Sequence, residues 1–213
     1  MTVLVVDAGI GNIGSIVSML RRIGHRGRLV DAPCAVEPGD RLILPGVGAF
    51  DAGMAALEAG GFDVWLREIA QGGNPVLGIC LGMQLLFDRS EEGTRAGLGL
   101  IAGDVVRLPA EQAGLRLPHM GWNIARPARD NPILPPGGEE RRFYFVHSYC
   151  VRCADPADSL AVTDYGAPFT SAVGRGRLFG VQFHPEKSHR FGMALLERFA
   201  TAPLDAGAGP APC

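Results

Sequence analysis

The sequence is poor in lysine and lacks any cluster of basic residues. Of its 20 lysine and arginine side chains, only Lys187 is a lysine, and the net charge of the 213 residues is −2. Proteins that bind nucleic acids or anionic membrane surfaces electrostatically carry basic clusters, so we expect neither partner. The N-terminus also lacks a basic segment followed by an apolar stretch, so no secretory leader is expected.

Long apolar runs and a cysteine framework are absent as well. The longest uncharged stretch, residues 69–87, contains Gln71, Asn74, Pro75 and four glycines, which argues against a membrane-spanning helix. The five cysteines are odd in number and irregularly spaced, which favours a reducing, cytoplasmic location. Cys150 and Cys153 form a CxxC pair after a β-rich run instead of at the start of a helix, and we interpret them as structural.

Short apolar strands alternate with helical patterns along the first half of the chain. Apolar residues recur at helical spacing directly after the strand-like run at residues 3–6. This alternation predicts an α/β fold with a mostly parallel central sheet flanked by helices. Between residues 98 and 174, strand-like pieces separated by Pro/Gly turns predict an added, smaller mixed or antiparallel sheet. We expect one domain, residues 1–200, and a disordered tail, residues 201–213.

Cys80 lies between two glycines in the run Gly78-Ile79-Cys80-Leu81-Gly82, directly after an apolar segment. This is the cysteine form of the G-x-S-x-G nucleophile elbow, a sharp strand-to-helix turn that exposes the nucleophile. Glycines on both sides remove Cβ atoms where the turn is crowded. The N-terminus of the following helix, expected over residues 81–87, favours a thiolate. We therefore interpret Cys80 as a nucleophile; a buried structural cysteine is the alternative.

A base for this nucleophile is available near the end of the chain. His184, Pro185 and Glu186 follow an apolar run that predicts a strand beginning near Leu178. In an extended chain, residues two apart share a face with Cα atoms roughly 6.6 Å apart, and Pro185 is expected to keep the pair from turning helical. Glu186 would then orient the His184 ring while the other ring nitrogen faces the thiol, which gives a Cys-His-Glu triad.

A second motif indicates a different class of protein. Gly9, Gly11 and Gly14 form a G-x-G-x-x-G pattern after the first strand, and Asp31 follows 22 residues after Gly9, as in dinucleotide-binding folds. Asp7, however, would place a negative charge beside the pyrophosphate. An NAD-binding protein would also leave the Cys-His-Glu set unexplained, so this is the less favoured alternative.

Taken together, the motifs resemble the class I (triad) glutamine amidotransferase family. The segments concerned are Asp7-x-Gly-x-Gly-Asn12, Pro45-Gly-Val-Gly-Ala-Phe50, Gly78-Ile-Cys-Leu-Gly-Met-Gln84, Pro118-His-Met-Gly-Trp-Asn123, Phe145-Val-His-Ser-Tyr149 and His184-Pro-Glu-Lys-Ser188. They are most similar to the glutaminase subunits of imidazole glycerol phosphate synthase, over about residues 3–199. The anthranilate synthase branch differs, with a Pro-Gly-Pro-Gly loop and Gly-His-Gln after the elbow. One departure is Gly14, where many relatives carry arginine.

The resemblance implies glutamine hydrolysis without a cofactor or a metal. The implied roles are a catalytic triad, Cys80, His184 and Glu186; backbone donors of an oxyanion hole, Val47, Gly48 and Leu81; and glutamine-binding residues, Gln84, Ser148 and Tyr149. For Ser148 and Tyr149, ordinary polarity at a strand end is the alternative, because no catalytic demand fixes them.

The resemblance also implies a partner, a cyclase subunit with a (β/α)₈ barrel, in a heterodimer. Ammonia from glutamine would pass to the cyclase, which makes imidazole glycerol phosphate and aminoimidazole carboxamide ribotide in histidine biosynthesis. The residues expected to face the cyclase are Asn12, His119, Met120, Trp122 and Lys187. An inactive interaction subunit is the non-enzyme alternative, and the intact triad argues against it.

Overall fold

The structure, a computed structural model, describes residues 2–204 of the chain. The helices are α1 (Ile13–Arg22), α2 (Phe50–Ala59), α3 (Phe62–Gln71), α4 (Leu81–Gln84) and α5 (His189–Thr201). The strands are β1 (Val3–Val6), β2 (Gly27–Val30), β3 (Arg41–Gly46), β4 (Val76–Cys80), β5 (Arg89–Ser90), β6 (Gly103–Arg107), β7 (His119–Ile124), β8 (Arg126–Pro127), β9 (Arg142–His147), β10 (Tyr149–Cys153), β11 (Ser159–Asp164), β12 (Pro168–Arg175) and β13 (Leu178–Val181). Short 3-10 turns occupy Pro109–Ala113, Pro156–Asp158 and Pro185–Lys187.

The centre of the main sheet is parallel. Strand β1 pairs with β2 and β3, and β4 pairs with β3 and β13, all in parallel. Beyond β13, strands β12, β10 and β6 continue the same sheet in antiparallel pairs, while β7 and β9 form a separate antiparallel pair. The predicted α/β class with an added antiparallel part is confirmed, although most added strands extend the central sheet.

Helices cover both faces of this sheet because successive strand residues point to opposite sides. In β1, Val3 and Val5 belong to one buried cluster with α1 and α5, whereas Leu4 and Val6 belong to another with α2 and α3. Strands covered on both faces are apolar throughout, as the sequence runs indicated. The carboxyl ends of β3, β4 and β13 meet at one edge, where the loops that follow them carry the predicted site residues.

Cys150 and Cys153 lie on opposite faces of β10. Cys150 belongs to the cluster with α1 and α5, and Cys153 packs against the cluster with α2 and α3. Side chains three residues apart in a strand point to opposite faces, so these two thiols cannot pair. Burial raises the pKa of both thiols to about 12, which supports the structural interpretation.

The helix after the elbow is shorter than predicted. Helix α4 ends at Gln84 instead of residue 87. The carbonyls of Leu85 and Leu86 accept hydrogen bonds from the N–H groups of Leu98 and Leu100. The N–H groups of Leu86 and Phe87 donate to the carbonyls of Met83 and Gln84, three residues back instead of four. The α-helical hydrogen-bond pattern therefore ends after one turn.

The C-terminal boundary of the domain also lies later than predicted. Leu204 is buried in the cluster with α1 and α5, so the domain extends at least to this residue and the tail does not begin at residue 201. The rest of the predicted tail, residues 205–213, lies outside the described residues. Within residues 2–204, no helix is long and apolar enough to cross a membrane.

Candidate active site

Cys80 ends β4 at the carboxyl edge of the sheet. Its backbone angles, φ 56° and ψ −113°, lie in a region that non-glycine residues occupy only when the surroundings enforce it. A Cβ atom at Gly78 would collide with the Gly82 backbone, and one at Gly82 would overlap the Leu44 carbonyl. The glycines of the elbow are therefore required by close packing, as expected. The single turn of α4 gives the thiol a weaker helix dipole than a long helix would.

His184 and Glu186 form a buried pair beside this elbow. The His184 Nδ1 and Glu186 Oε1 atoms are 2.8 Å apart, and the side chains are only 2% and 3% exposed. The predicted strand geometry is wrong, however. Strand β13 ends at Val181, and Pro185 begins a 3-10 turn, because proline suits the first position of a helical turn. The turn brings the carboxylate to the ring.

The charge state of His184 is set by opposing influences. Burial lowers the pKa of the imidazole, but contacts with Cys80 and Glu186 outweigh burial and raise this pKa from 6.5 to about 9. At neutral pH the imidazolium form is therefore favoured. The Nε2 atom is buried without a hydrogen-bond partner in the described part of the chain, so a proton on it is available to a group in the adjoining pocket.

A pocket of about 280 Å³ lies between the elbow and His184. Its lining residues are Val47, Gly48, Cys80, Leu81, Gln84, Glu92, Val146, His147, Ser148, Tyr149 and His184. The structure thus brings together every residue predicted for catalysis, oxyanion binding or glutamine binding; Glu186 alone among them lies behind His184 instead of in the wall.

The N–H groups predicted to bind the oxyanion differ in whether another hydrogen bond already engages them. Leu81 is the first residue of α4, so its N–H has no acceptor within the helix. The Val47 N–H, by contrast, donates to the Ile10 carbonyl at 2.6 Å and is unavailable to an oxyanion in this conformation. Gly48 beside it has φ 102°, which favours glycine. Val47 is therefore not a free donor in this conformation, and the prediction that it serves an oxyanion requires its peptide to rotate.

The glycine loop with the dinucleotide-like pattern lies against this oxyanion loop. A Cβ atom at Gly11 would lie 3.0 Å from the Pro45 Cβ, so glycine permits a close approach there. The neighbouring Ile10 supplies the carbonyl that holds the Val47 N–H. Packing on the β3–α2 connection therefore accounts for Gly11 without a pyrophosphate.

Gln84 and an unpredicted residue, Gln182, form a buried amide pair at the pocket. Gln84 Nε2 donates to the Tyr149 carbonyl at 3.2 Å and to Gln182 Oε1 at 3.0 Å. Gln182 is fully buried, and its Nε2 lies 3.8 Å from Cys80 Sγ. The only signal in the sequence was its position two residues before His184.

Glu92 is a second pocket residue that the sequence analysis missed. Among the lining residues that the structure describes, it is the one acid. Its Oε2 accepts the N–H of Phe50 at the start of α2, at 2.9 Å, which fixes the carboxylate at the pocket wall. No motif surrounds Glu92, and its partner is 42 residues away, so local patterns could not have indicated it.

The residues predicted to face a partner are exposed, with one exception. Those exposed are Asn12, Met120, Trp122 and Lys187. The prediction for His119 is wrong, because it is only 3% exposed. Alternate residues of β7 point to opposite faces, so His119 faces inward, stacked against Phe145 and Tyr165.

The family model described as glutamine amidotransferase class-I matches residues 4–202. This match spans nearly all of the described fold and includes both the elbow and the His184–Glu186 pair. The chain therefore belongs to the class-I glutamine amidotransferase family. Membership favours the triad interpretation of Cys80 over the dinucleotide-binding alternative.

Individual relatives narrow this class to one branch. The chain is 48% identical over 198 residues to imidazole glycerol phosphate synthase subunit HisH 2 of Pseudomonas aeruginosa, covering 92% of this chain and 98% of the relative. It is 47% identical over 204 residues to subunit HisH of Symbiobacterium thermophilum, covering 95% of each. The predicted resemblance to this branch is confirmed. Both names describe the relative as one subunit of a synthase.

Solved structures agree on the fold. One, described as a glutamine amidotransferase, aligns with a TM-score of 0.71 at 20% identity over 93% of this chain and 99% of its own. PurLQS from Thermotoga maritima aligns with a TM-score of 0.70 at 18% identity, over 93% and 96%. At these identities the likeness supports the fold alone.

Proposed function

We propose that the chain is the glutaminase subunit of an imidazole glycerol phosphate synthase. In this role it hydrolyses glutamine and delivers the ammonia to a cyclase subunit, in histidine biosynthesis. The observation that carries the proposal is the strained Cys80 elbow beside the buried His184–Glu186 pair. The names of relatives at 47–48% identity over nearly their full length support it.

The reaction begins with attack of the Cys80 thiolate on the side-chain amide carbon of glutamine. The carbonyl oxygen becomes an oxyanion, which the Leu81 N–H stabilises together with a second donor from the Val47–Gly48 loop. His184 Nε2 gives its proton to the amide nitrogen, the C–N bond breaks, and ammonia leaves. A γ-glutamyl thioester remains on Cys80.

Hydrolysis of the thioester restores the enzyme. His184, now neutral, takes a proton from an attacking water molecule, and the tetrahedral intermediate expels the Cys80 thiolate with release of glutamate. Glu186 keeps the ring oriented and stabilises the imidazolium in both half-reactions. A thiolate nucleophile needs a reducing environment, so we place the enzyme in the cytoplasm.

Glu92 is assigned to the α-ammonium group of glutamine, because a fixed carboxylate in the pocket matches that charge. We expect Glu92→Gln to raise KM for glutamine by roughly 10- to 100-fold, the range for losing a hydrogen bond between charged groups, with little change in kcat. The matched control is Glu91→Gln, a neighbouring acid that accepts the Arg107 N–H away from the pocket. Steady-state kinetics in the complex measure both; an unchanged KM for Glu92→Gln contradicts the assignment.

The alkaline limb of the pH profile is assigned to loss of the proton from His184. Since acylation needs His184 protonated, kcat/KM should fall with a half-maximum near pH 9. Glu186→Gln removes one interaction that raises this pKa while burial still lowers it. The half-maximum should therefore move to lower pH by roughly 1–2 units, the equivalent of one hydrogen bond to a charged group.

The control for this profile is Glu139→Gln, because Glu139 is an exposed acid paired with Arg190. Its profile of kcat/KM against pH should match that of the wild-type complex. A Glu186→Gln profile with the same alkaline limb would remove Glu186 from the triad.

The partner surface is assigned to the exposed residues around the pocket, with Trp122 and Met120 on the outer face of β7 and Lys187 after His184. Delivery of ammonia from this subunit to a cyclase is tested directly by isotope transfer. With amide-¹⁵N glutamine, cyclase and its ribotide substrate, the imidazole product should carry ¹⁵N even in the presence of unlabelled ammonium. An unlabelled product, or transfer only with an anthranilate-type synthase, would overturn the assignment.

A further inference from the structure

Gln182 contacts the reacting sulfur and has no role in the mechanism above. Its side chain is completely buried, and its Nε2 lies 3.8 Å from Cys80 Sγ, within hydrogen-bond range for sulfur. The backbone N–H of Gln182 donates to the Ser171 carbonyl at 2.9 Å, so the residue is anchored independently of its amide. A buried amide beside a thiolate either donates to the sulfur or repels it, depending on which end faces it.

The orientation of the Gln182 amide follows from one backbone group. The Tyr149 carbonyl can only accept, so the Gln84 atom 3.2 Å from it must be the donating Nε2. The same Nε2 lies 3.0 Å from Gln182, and that Gln182 atom must therefore be the accepting Oε1. The other end of the Gln182 amide, which faces the sulfur, is then the N–H donor.

A pair of histidines fixes the Tyr149 carbonyl from the other side. His147 Nδ1 lies 2.8 Å from this carbonyl, and His119 Nδ1 lies 3.0 Å from His147 Nε2. Burial lowers the pKa of His147 to about 3 and that of His119 to about 4, so both rings are neutral at physiological pH. Each ring then has one donor, and the chain of donors from Asn123 through both rings ends on the carbonyl.

We propose that Gln182 is a further catalytic residue, whose side-chain N–H stabilises the Cys80 thiolate before attack and when the thioester breaks down. The orientation of its amide is imposed by Gln84 and by the Tyr149 carbonyl, with His147 and His119 as positioning residues. The inference rests on the proposed glutaminase function and assigns one more contact at the same sulfur. A hydrogen bond to an ionised group is stronger than one between neutral groups. We therefore expect the contact of the Gln182 N–H with the thiolate to affect the reactivity of Cys80.

The test uses alkylation of Cys80 by iodoacetamide in the full chain, which needs no partner. We expect Gln182→Met, similar in size but without a donor, to slow alkylation at pH 7 by about 10-fold, as for one charge-assisted hydrogen bond. Gln182→Glu presents an acceptor to the sulfur and should slow it further. Ser171→Ala is the control, since the Ser171 hydroxyl is buried on the adjacent strand without a partner in the described residues.

The rate of alkylation against pH separates a local effect on the thiolate from a structural one. The charged or titratable side chains around the sulfur are unchanged in all variants; they are His184, Glu186, His147, Tyr149 and Glu92. The profiles of Gln182→Met and Gln182→Glu should therefore move to higher pH, whereas a loosened pocket would change the plateau rate instead. Unmoved profiles in both variants overturn the proposal.

Glutamine turnover by the cyclase complex distinguishes failure of the role of Gln182 from failure of the glutaminase function on which it rests. We expect kcat to fall by about 10- to 100-fold in Gln182→Met with KM nearly unchanged. Wild-type turnover in Gln182→Met, with an active wild-type complex, refutes the role of Gln182 and leaves the glutaminase assignment standing. Absence of turnover in the wild-type complex refutes the glutaminase assignment, while the alkylation result still stands on its own.

Discussion

Cys80→Ala should abolish glutamine hydrolysis and leave ammonia-driven synthesis by the complex intact. Cys80 supplies the only bond to the glutamyl group in the mechanism, so its loss should reduce glutamate release by at least roughly 10³-fold. Free ammonia bypasses this step, because ammonia is all that the cyclase active site receives from the glutaminase subunit. Both rates are measured on the same preparation, with glutamine in one assay and ammonium salt in the other.

Two further variants define the specificity of this result. His184→Asn should also lose glutamine-driven turnover, by roughly 10²- to 10⁴-fold, because proton transfer is lost while the thiol remains. Cys150→Ala should keep both activities, since the Cys150 thiol is buried in the core and does not line the pocket. Loss of the ammonia-driven rate in an assembled Cys80→Ala complex would contradict the division of labour between the subunits.

The free chain should be a poor glutaminase that the ligand-bound cyclase activates by orders of magnitude. The physical reason lies in the Val47 N–H, which is held by the Ile10 carbonyl at 2.6 Å and turned away from the oxyanion. One missing oxyanion donor costs about 10²–10³ in rate. Glycines on both sides of Val47 leave its peptide able to rotate once that hydrogen bond breaks.

A partner can drive this rotation only if it binds the rotated loop more tightly than the resting one. The exposed Val47 side chain lies at the pocket mouth, on the surface assigned to the cyclase. Glutamate release should therefore rise by about 10²- to 10³-fold when cyclase and its ribotide ligand are added together. The assay compares the free chain, the chain with cyclase, and the chain with cyclase and ribotide.

A pair of matched variants checks that docking causes the activation. Trp122→Ala removes a 48% exposed side chain from the assigned interface, and Leu29→Ala removes a 52% exposed side chain from the edge strand β2. We expect the first to weaken activation at limiting cyclase and the second to leave it unchanged. Equal turnover by the free chain and the ligand-bound complex would show that no such gate exists.

The elbow could be predicted from sequence because it is a local feature. Glycines two residues before and after Cys80 indicate a crowded strand-to-helix turn, and the structure shows backbone collisions that a Cβ there would cause. The sequence also indicated Glu186 as the partner of the base His184, but it did not indicate the backbone geometry that joins them. Proline is unfavourable inside a helix but favourable at its first position. Pro185 occupies the first position of a 3-10 turn, so the second preference determines the local structure.

Other parts of the site depend on contacts that no local pattern records. Glu92 and Gln182 reach the pocket through partners 42 and 98 residues away, respectively. The rotation state of the Val47 peptide is not encoded by residue type, because glycine on either side permits both states. His119, by contrast, was open to prediction: alternation along β7 separates it and Asn123 from the exposed Met120 and Trp122.

Cys80 carries the glutamyl group during turnover in the proposed mechanism, and the most direct test is to detect that group on the cysteine. The ligand-bound complex is quenched with acid during glutamine turnover, and its peptides are analysed by mass spectrometry. A γ-glutamyl group on the peptide that contains Cys80, absent from Cys80→Ala, is the predicted result. An adduct on another residue, or glutamate release that continues at the wild-type rate in Cys80→Ala, would contradict the account.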